Sequence, residues 1–289
     1  MKTLLLDVGG TFIKCSDGRE IPIRSDGSRE EISSSFAEAV GAFCNEDSCV
    51  NDAETASGNR ERDCEIAVAI PGPFDYERGI FLMKHKFSAV YGMSFREVAG
   101  VPSCVRLLFT HDVNVMLAGE MFYGNGRGYS RVALVALGTG LGFAMSIDGR
   151  ILKKATGSPL VSIFGLPYRD GILEDYASKR GFLGTFKALG GQGAATVKDI
   201  AEFAGGGDKA ALETFRSIGS TIARTISPIL KEYGIECLLF GGQISRSFRF
   251  LEPALREGLS GVESLVDISQ VSDFDNATFN GLRAMLRQE

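Results

Sequence analysis

Residues 4–14 read LLLDVGGTFIK. An apolar strand runs into a glycine turn that carries an acid and a hydroxyl, and a second strand leaves the turn. Paired glycines can adopt positive φ and leave their N–H groups accessible, and successive N–H groups in such a turn can form a concave site for phosphate. Asp7 is placed to face a metal ion or its waters. An ordinary Gly-Gly hairpin is the alternative, because short motifs also occur by chance.

A second segment has the same form. The apolar strand Arg131–Leu137 runs into the turn Gly138–Gly142 (GTGLG) and a return strand over Phe143–Ile147. Two such turns predict a nucleotide phosphate chain held from both sides by backbone N–H groups, with Thr11 and Thr139 offering hydroxyls. Neither turn is a P-loop, since GxxxxGK[ST] is absent, and the second returns to a strand instead of opening a helix as a dinucleotide motif does. The repeat also predicts two domains built on one plan.

Asp112 is the candidate general base. It follows the predicted strand Val105–Thr110 and precedes a helix predicted over Val115–Tyr123, and α/β proteins usually place reactive groups at such junctions. Phosphoryl transfer needs one carboxylate to take the proton of the acceptor. A helix N-cap is the alternative role for this aspartate, and Asn114 would then face solvent.

Composition narrows the class of protein. The chain has 289 residues, 44% of them hydrophobic and 23% charged, with a net charge of −5, which is typical of a globular protein with one large or two moderate domains. The mild acidity disfavours nucleic acid as a partner, and no apolar run reaches the roughly 18–20 residues of a membrane span. No signal peptide is recognised, so a cytoplasmic location is expected. The six cysteines form no CxxC and there are two histidines, which predicts free thiols and no zinc site.

The remaining pattern alternates strands and helices. Further strands are predicted over Arg19–Ser25, Cys64–Ile70, Ile80–Met83, Ile235–Phe240 and Val262–Ile268. Further helices are predicted over Ser28–Cys44, Asp170–Ser178, Gly181–Leu189, Thr196–Ala204, Asp208–Tyr233, Phe248–Leu259 and Asn276–Arg287.

Three local features complete these expectations. In the longest helix, Leu212 belongs to the stripe expected to be buried, and Pro228 is expected to kink the helix or mark a boundary. The polar segment Asn45–Asp63 is expected to be a surface loop. Gly241-Gly242-Gln243 ends a strand before a helix, where glycines allow a base or ribose to approach the backbone, with a simple β–α turn as the alternative. Glu174, from local sequence alone, is a solvated acid.

Taken in order, these motifs resemble those of the ROK family of sugar kinases and related repressors, within the sugar kinase–Hsp70–actin superfold. The resemblance covers the first phosphate loop, the Pro-Gly-Pro turn near the sugar, the catalytic segment, the second phosphate loop and the adenosine motif. The corresponding residues are Asp7–Thr11, Pro71-Gly72-Pro73, Asp112 with Asn114, Gly138–Gly142, and Gly241-Gly242.

The resemblance implies an α/β fold, the two-domain actin-like ATPase (ribonuclease H-like) fold with an interdomain cleft. It implies an N-terminal domain of residues 1–115 plus 276–289 and a C-terminal domain of residues 116–275. ATP and Mg²⁺ are the implied cofactors, with Mg²⁺ near Asp7 through water, and a homodimer is suggested. The residues implied to bind ATP are Asp7, Gly9, Gly10, Thr11, Lys14, Gly138, Thr139, Gly140, Gly142, Gly241, Gly242 and Gln243.

The implied sugar ligands are Pro71, Gly72, His111, Asp112 and Glu174. Glu174 is included because Gly171–Ser178 resembles the family segment in which a glutamate holds the sugar. The chain also departs from the family, which usually has Asn where His111 stands. Members of the family usually also carry a glutamate–histidine sugar motif and a cysteine-rich zinc segment. This chain has Thr156–Leu160 in place of the sugar motif, and neither Cys nor His within residues 151–170.

The sequence therefore predicts an ATP-dependent kinase that transfers the γ-phosphate to a hydroxyl of a hexose or amino sugar, with Asp112 as general base. A catalytically impaired regulator that binds sugar or nucleotide is the alternative suggested by the altered sugar motif. A third hypothesis is a member of the same superfold that acts on a non-sugar acceptor such as an acid. A DNA-binding repressor is disfavoured, because the chain begins directly at the phosphate loop.

Overall fold

The computed structural model describes residues 2–41, 43 and 64–287. They divide into two compact units. Unit 1 comprises residues 1–115, 153–158 and 282–289, and unit 2 comprises residues 116–152 and 159–281. The segment Asn45–Asp63, for which a surface loop is expected, lies outside the described residues.

Unit 1 is built on a five-stranded sheet of order β3-β2-β1-β4-β7. The first two pairings are antiparallel, and β1 with β4 and β4 with β7 are parallel. All seven residues of β4 are buried, as expected for a strand covered on both faces. The strands are β1 (Lys2–Val8), β2 (Phe12–Cys15), β3 (Glu20–Pro22), β4 (Cys64–Ile70) and β7 (Arg106–His111), and a separate hairpin joins β5 (Phe74–Asp75) to β6 (Ile80–Phe81).

The helices of unit 1 pack against an aromatic core. The first helix, α1, begins with a capping box in which the Glu31 N–H donates to Ser28 Oγ and the Ser28 N–H donates to the Glu31 carboxylate. Phe36 on α1 lies within 6 Å, centroid to centroid, of Phe81, Phe87 and Phe95. The helices are α1 (Arg29–Gly41), α2 (Phe95–Ala99) and a 3₁₀ turn at Ser88–Val90, and α3 (Asp112–Tyr123) continues into unit 2.

Unit 2 repeats the sheet topology of unit 1. Its order is β10-β9-β8-β13-β14, again with two antiparallel pairings followed by two parallel ones. The prediction of one plan used twice is therefore confirmed by strand order and direction. The strands are β8 (Arg131–Leu137), β9 (Leu141–Ile147), β10 (Arg150–Ile151), β13 (Cys237–Gly241) and β14 (Asp267–Gln270), with a small hairpin of β11 (Pro167–Tyr168) and β12 (Gly171–Ile172).

Among the described residues, five helices after α3 lie within unit 2, and a sixth, α9, begins there and ends in unit 1. The long helix α7 has Asp208 as its N-cap and ends at Gly234, which has φ +61°. It continues through Pro228, so of the two expected effects the boundary does not occur and the kink stays a prediction, and Leu212 is 41% exposed instead of buried. The helices are α4 (Leu173–Tyr176), α5 (Lys179–Ala188), α6 (Val197–Gly205), α7 (Lys209–Tyr233), α8 (Phe248–Leu259) and α9 (Ala277–Leu286), with a 3₁₀ turn at Gln243–Ser247.

Three further expectations need correction. Val262–Ile268 is not one strand, because turn hydrogen bonds follow α8 through Val262 and Leu265 and pairing with β13 begins only at Asp267. The helix predicted over Asp170–Ser178 is limited to Leu173–Tyr176, because Gly171 and Ile172 pair with β11. Helix α3 begins at Asp112, three residues before the predicted start.

The cysteines differ partly from expectation. Cys15, Cys64 and Cys237 are free and buried, but Cys104 is disulfide-bonded, so the prediction of free thiols is wrong for that residue. A disulfide requires two cysteines close in space, and linear spacing gives no sign of that. Among the described residues, no helix has both the length and the apolarity that crossing a membrane requires.

Candidate functional site

The first predicted phosphate loop joins β1 to β2 in unit 1. The Gly9 N–H donates to the Phe12 carbonyl at 2.9 Å and closes the turn. Within the described residues, the N–H groups of Gly10 and Thr11 donate no hydrogen bond, so two consecutive donors are available to an anion. Neither glycine has a positive φ, which corrects the expectation. Glycine suits position 9 because a Cβ there would lie 3.1 Å from the Phe12 oxygen.

The second loop joins β8 to β9 in unit 2 and has the same property. The Gly138 N–H donates to the Gly140 carbonyl at 3.0 Å, and the Gly138 carbonyl accepts from the Lys179 N–H at 2.9 Å. The N–H groups of Thr139 and Gly140 donate to no atom of the described chain. The predicted strand–turn–strand form is confirmed for both loops, and their binding of phosphate stays a prediction.

Glu174 lies in α4 and is hydrogen-bonded to this second loop. Its Oε2 accepts from the Leu141 N–H at 2.9 Å, and its Oε1 is 3.3 Å from the Arg180 guanidinium. A Cβ on Gly140 would lie 2.9 Å from the same Oε2, so the carboxylate approaches the loop this closely because residue 140 is glycine. The glutamate predicted to hold sugar is therefore also a support of the second loop.

The predicted adenosine motif packs closely on neighbouring backbone in unit 2. Gly242 has φ +79°, and a Cβ there would lie 2.3 Å from the Leu137 carbonyl oxygen. A Cβ on Gly241 would lie 2.4 Å from Met116 Sδ. Position 242 therefore requires glycine, a side chain at position 241 would have to displace Met116, and the motif lies at the end of β8, beside the second loop. The Gln243 side chain accepts a hydrogen bond from Arg246 Nε at 3.0 Å.

Asp112 lies where β7 passes into α3, and its carboxylate is held on one side. Its Oδ1 is 2.8 Å from His111 Nδ1 and accepts from the Val113 N–H at 2.7 Å. Within the described residues, Oδ2 accepts no hydrogen bond, and the side chain is 36% exposed. Burial alone would raise the pKa of Asp112, but the charge and hydrogen bond of His111, the Val113 amide and the charge of Lys86 together lower it below its usual value. The arrangement provides an ionised carboxylate with one accessible oxygen.

Tyr76 and the Pro71–Pro73 turn flank this carboxylate. The Tyr76 hydroxyl donates to the Ile70 carbonyl at 3.0 Å. A Cβ on Gly72 would lie 3.2 Å from that hydroxyl and 3.6 Å from His111 Nε2, so glycine allows the turn to approach both. Burial, together with the negative charge of Asp112, raises the pKa of Tyr76. Sequence reasoning missed Tyr76, whose one signal is its position just after the turn.

The segment that replaces the usual sugar motif begins in unit 1, which contains its residues 156–158. It forms a turn in which the Lys154 N–H donates to the Ser158 carbonyl at 2.8 Å. Asn114 Nδ2 donates to the Gly157 carbonyl at 3.0 Å. Asn114 is only 4% exposed, so it does not face solvent, and its Oδ1 is buried with no hydrogen-bond partner among the described residues. The asparagine of the predicted catalytic segment thus anchors the altered sugar segment.

Two predicted nucleotide ligands remain. Asp7 is half-buried at the end of β1. Lys14 Nζ is 3.8 Å from Glu20 Oε1 on the neighbouring strand. Among the described residues, no group of three or more His, Cys, Asp or Glu converges to hold a metal ion. Mg²⁺ in phosphate-transferring sites is usually bound by one or two carboxylates together with substrate phosphates and water, and a single carboxylate beside the first loop fits that pattern.

Comparisons with known proteins agree with these features. The ROK family model matches residues 6–159 and 167–281. A glucokinase of Thermotoga maritima is 25% identical over 214 residues, 66% of this chain and 68% of that protein. The DNA-binding transcriptional repressor Mlc of Escherichia coli is 25% identical over 218 residues, 69% of this chain and 53% of the repressor.

Solved structures establish the fold. A ROK family glucokinase from Streptomyces griseus, in complex with glucose and AMPPNP, superposes with a TM-score of 0.74 at 20% identity, covering 99% of each chain. The predicted actin-like ATPase fold is therefore confirmed. The similarity to both kinases and a repressor means that the reaction has to be argued from the residues of this chain.

Proposed function

Because this chain belongs to the ROK family, we propose that it is an ATP-dependent kinase that phosphorylates a hydroxyl of a hexose or amino sugar. The observation that carries the proposal is the state of Asp112. Hydrogen bonds to Oδ1 orient the carboxylate and leave Oδ2 accessible, and its lowered pKa keeps it ionised at neutral pH. A base that is oriented and ionised is what removal of a hydroxyl proton requires.

In the proposed reaction, Asp112 accepts the proton of a sugar hydroxyl as that oxygen attacks the γ-phosphorus of ATP. The new O–P bond forms while the bond between the γ-phosphorus and the β,γ-bridging oxygen breaks, and ADP leaves with that bond's electron pair. The N–H groups of Gly10, Thr11, Thr139 and Gly140 bind phosphate oxygens. A magnesium ion held with the help of Asp7 would neutralise phosphate charge.

The sugar contacts are proposed from the residues around Asp112 and from Glu174. His111 Nε2 has no hydrogen-bond partner within the described residues and faces the Gly72 turn, where it can bind a second hydroxyl. The Glu174 carboxylate can bind another hydroxyl, as the family resemblance implies. With Thr156–Leu160 in place of the usual motif, the identity of the sugar has to be found by a screen.

The direct experiment is a coupled assay of ADP release across hexoses and amino sugars, with Asp112→Asn as the control. A sugar-dependent rate is expected, and the variant should lose on the order of 10²–10⁴-fold in kcat, which is the usual contribution of a general base. Absence of phosphoryl transfer to every sugar would contradict the proposal. So would an Asp112→Asn enzyme that keeps wild-type activity.

A regulator without turnover is the second candidate. The similarity to Mlc and the altered segment at Thr156–Leu160 favour it. Retention of Asp112 and of two loops with accessible N–H donors disfavours it, because a protein that only binds does not need the base. Calorimetry separates the two candidates: sugar binding in the presence of ATP with no ADP formed would support the regulator.

A further inference from the structure

Lys86 lies beside the first phosphate loop although it belongs to none of the motifs above. Its Cε and Nζ are 3.7 and 3.8 Å from the position that a Cβ on Gly10 would occupy. Within the described residues, its ammonium group forms no hydrogen bond and no ion pair. Its charge also acts on the Asp112 carboxylate. One cation thus lies beside the loop expected to bind phosphate and also contributes to the electrostatic environment of the expected base.

The backbone holds this lysine in place. The next residue, Phe87, has φ +53°, a left-handed conformation that is unfavourable for a bulky residue and persists only when the surroundings impose it. Its ring is completely buried, with its centroid 5.9 Å from that of Phe36 and 5.7 Å from that of Phe81. Strained backbone of this kind clusters at functional sites.

The same turn is tied to the loop by hydrogen bonds. The Phe87 N–H donates to the Ser25 carbonyl, and the Ser25 N–H donates to the Gly10 carbonyl at 3.3 Å. Ser25 Oγ also lies 3.4 Å from the position of a Cβ on Gly10. The backbone of Lys86 is therefore connected to the loop through Phe87 and Ser25, and its position relative to Gly10 is set by the fold.

We propose that Lys86 is a catalytic residue whose ammonium group contacts the phosphoryl group during its transfer. The inference rests on the proposed kinase function and adds to it a residue that the motifs do not contain. As the acceptor O–P bond forms and the bond to ADP breaks, negative charge spreads over the three non-bridging oxygens of the phosphoryl group. A cation beside the loop N–H groups stabilises that charge. The proton of the hydroxyl goes to Asp112, and Lys86 keeps its own protons throughout.

The first test compares Lys86→Met with Lys84→Met in the ADP-release assay. Lys84 is a matched control because it is exposed, lies two residues earlier, and places its Nζ 5.4 Å from the centroid of the Tyr91 ring. Lys86→Met should lower kcat by about 10²-fold, the usual effect of removing one preorganised donor to a transition state. The KM of Lys86→Met for sugar should change little. Lys84→Met should match wild type, and Lys86→Arg should keep more activity than Lys86→Met.

A binding experiment tests Lys86 independently of turnover. Calorimetry without sugar would measure the affinities of AMPPNP and ADP, each with Mg²⁺, for wild type and both methionine variants. Lys86→Met loses a charge-assisted contact to the γ-phosphate, so its preference for AMPPNP over ADP should fall by about tenfold. The preference of Lys84→Met should equal that of wild type.

The outcomes are separable. If wild type transfers phosphate to no sugar, the kinase proposal fails, and the nucleotide preference still tests the contact of Lys86 with phosphate. If Lys86→Met keeps both the wild-type kcat and the wild-type preference, the Lys86 proposal is wrong. If the variant changes only the pH dependence of the rate and keeps the preference, Lys86 acts through Asp112 alone, which also overturns the proposal.

Discussion

Gly157→Ala tests whether the segment that replaces the usual sugar motif shapes the surroundings of Asp112. Gly157 has φ +87°, and an added Cβ would lie 2.9 Å from both Cβ and Cδ2 of Tyr76. Its carbonyl accepts from Asn114, and the Tyr76 N–H donates to the adjacent Thr156 carbonyl at 3.4 Å. A displacement of residue 157 therefore displaces Tyr76, which flanks the expected base.

Two costs contribute to the expected loss of stability. A left-handed conformation costs an L-residue about 1–2 kcal/mol. A methyl group 2.9 Å from buried ring atoms has to move them, and overpacking of this kind costs about 1–3 kcal/mol. The sum is about 2–5 kcal/mol in the free energy of unfolding. At roughly 2–4 °C per kcal/mol for a domain of this size, a loss of about 3 kcal/mol lowers the unfolding midpoint of unit 1 by about 6–12 °C.

Gly18→Ala is the matched control, because Gly18 lies in the same unit, has φ +91°, and has no atom within 4 Å of an added Cβ. It carries the backbone cost without the clash, so the difference between the variants isolates the contact with Tyr76. Calorimetry and urea unfolding would measure stability, and the coupled assay would measure the KM for sugar, which should rise only in Gly157→Ala. Equal stability within about 0.5 kcal/mol and equal KM in the two variants would refute the reasoning.

Two further predictions concern the groups that hold the carboxylates. His111→Ala removes a partner that lowers the pKa of Asp112, so that pKa rises toward its usual value and the acid limb of kcat/KM moves to higher pH. The variant then loses activity first at the low-pH end of a pH series. His85→Ala, at an exposed histidine, is the control and should keep the acid limb of wild type. An acid limb that does not move in His111→Ala would contradict the role of His111 in lowering the pKa of Asp112. Glu174→Ala leaves the Leu141 N–H without its acceptor and should cost about 1–3 kcal/mol in urea unfolding. Glu174→Gln keeps an acceptor and should lose less, so equal losses would count against the loop-support role.

The sequence indicates the sheets well because their signals are local. Cys64–Ile70 and Arg131–Leu137 are mainly apolar runs with the predicted bounds, and glycine turns mark the places where the chain reverses. The two turns alone were enough to predict one plan used twice. The sequence-based prediction of secondary structure fails where pairing with a distant strand decides whether a segment becomes a strand or a helix. Gly171–Ile172 becomes a strand because β11 pairs with it, and no periodicity within so short a segment indicates that.

The candidate site likewise has a part that local sequence predicts and a part that depends on the folded structure. The position of Asp112 follows from local sequence, because the strand end and the helix start are both visible there. Its neighbours do not, because Tyr76 and Lys86 come from separate turns that only the folded sheet brings near the same carboxylate. Lys86 lies in a segment without a motif, and its significance depends on a distance to Gly10 and on the conformation of Phe87. Neither quantity can be read from residue types.

The two loops occupy the same position in the sheets of their units but differ in the charged groups beside them. The first loop has an ammonium group beside Gly10 and lies in the unit that carries Asp112. The second has the Glu174 carboxylate 2.9 Å from the Leu141 nitrogen, and that carboxylate is itself 3.3 Å from the Arg180 guanidinium. A phosphoryl group that gains negative charge during the proposed transfer would be stabilised beside the cation of the first loop. In the proposed reaction, the ammonium group beside Gly10 therefore favours the first loop as the one that contacts the transferred phosphoryl group.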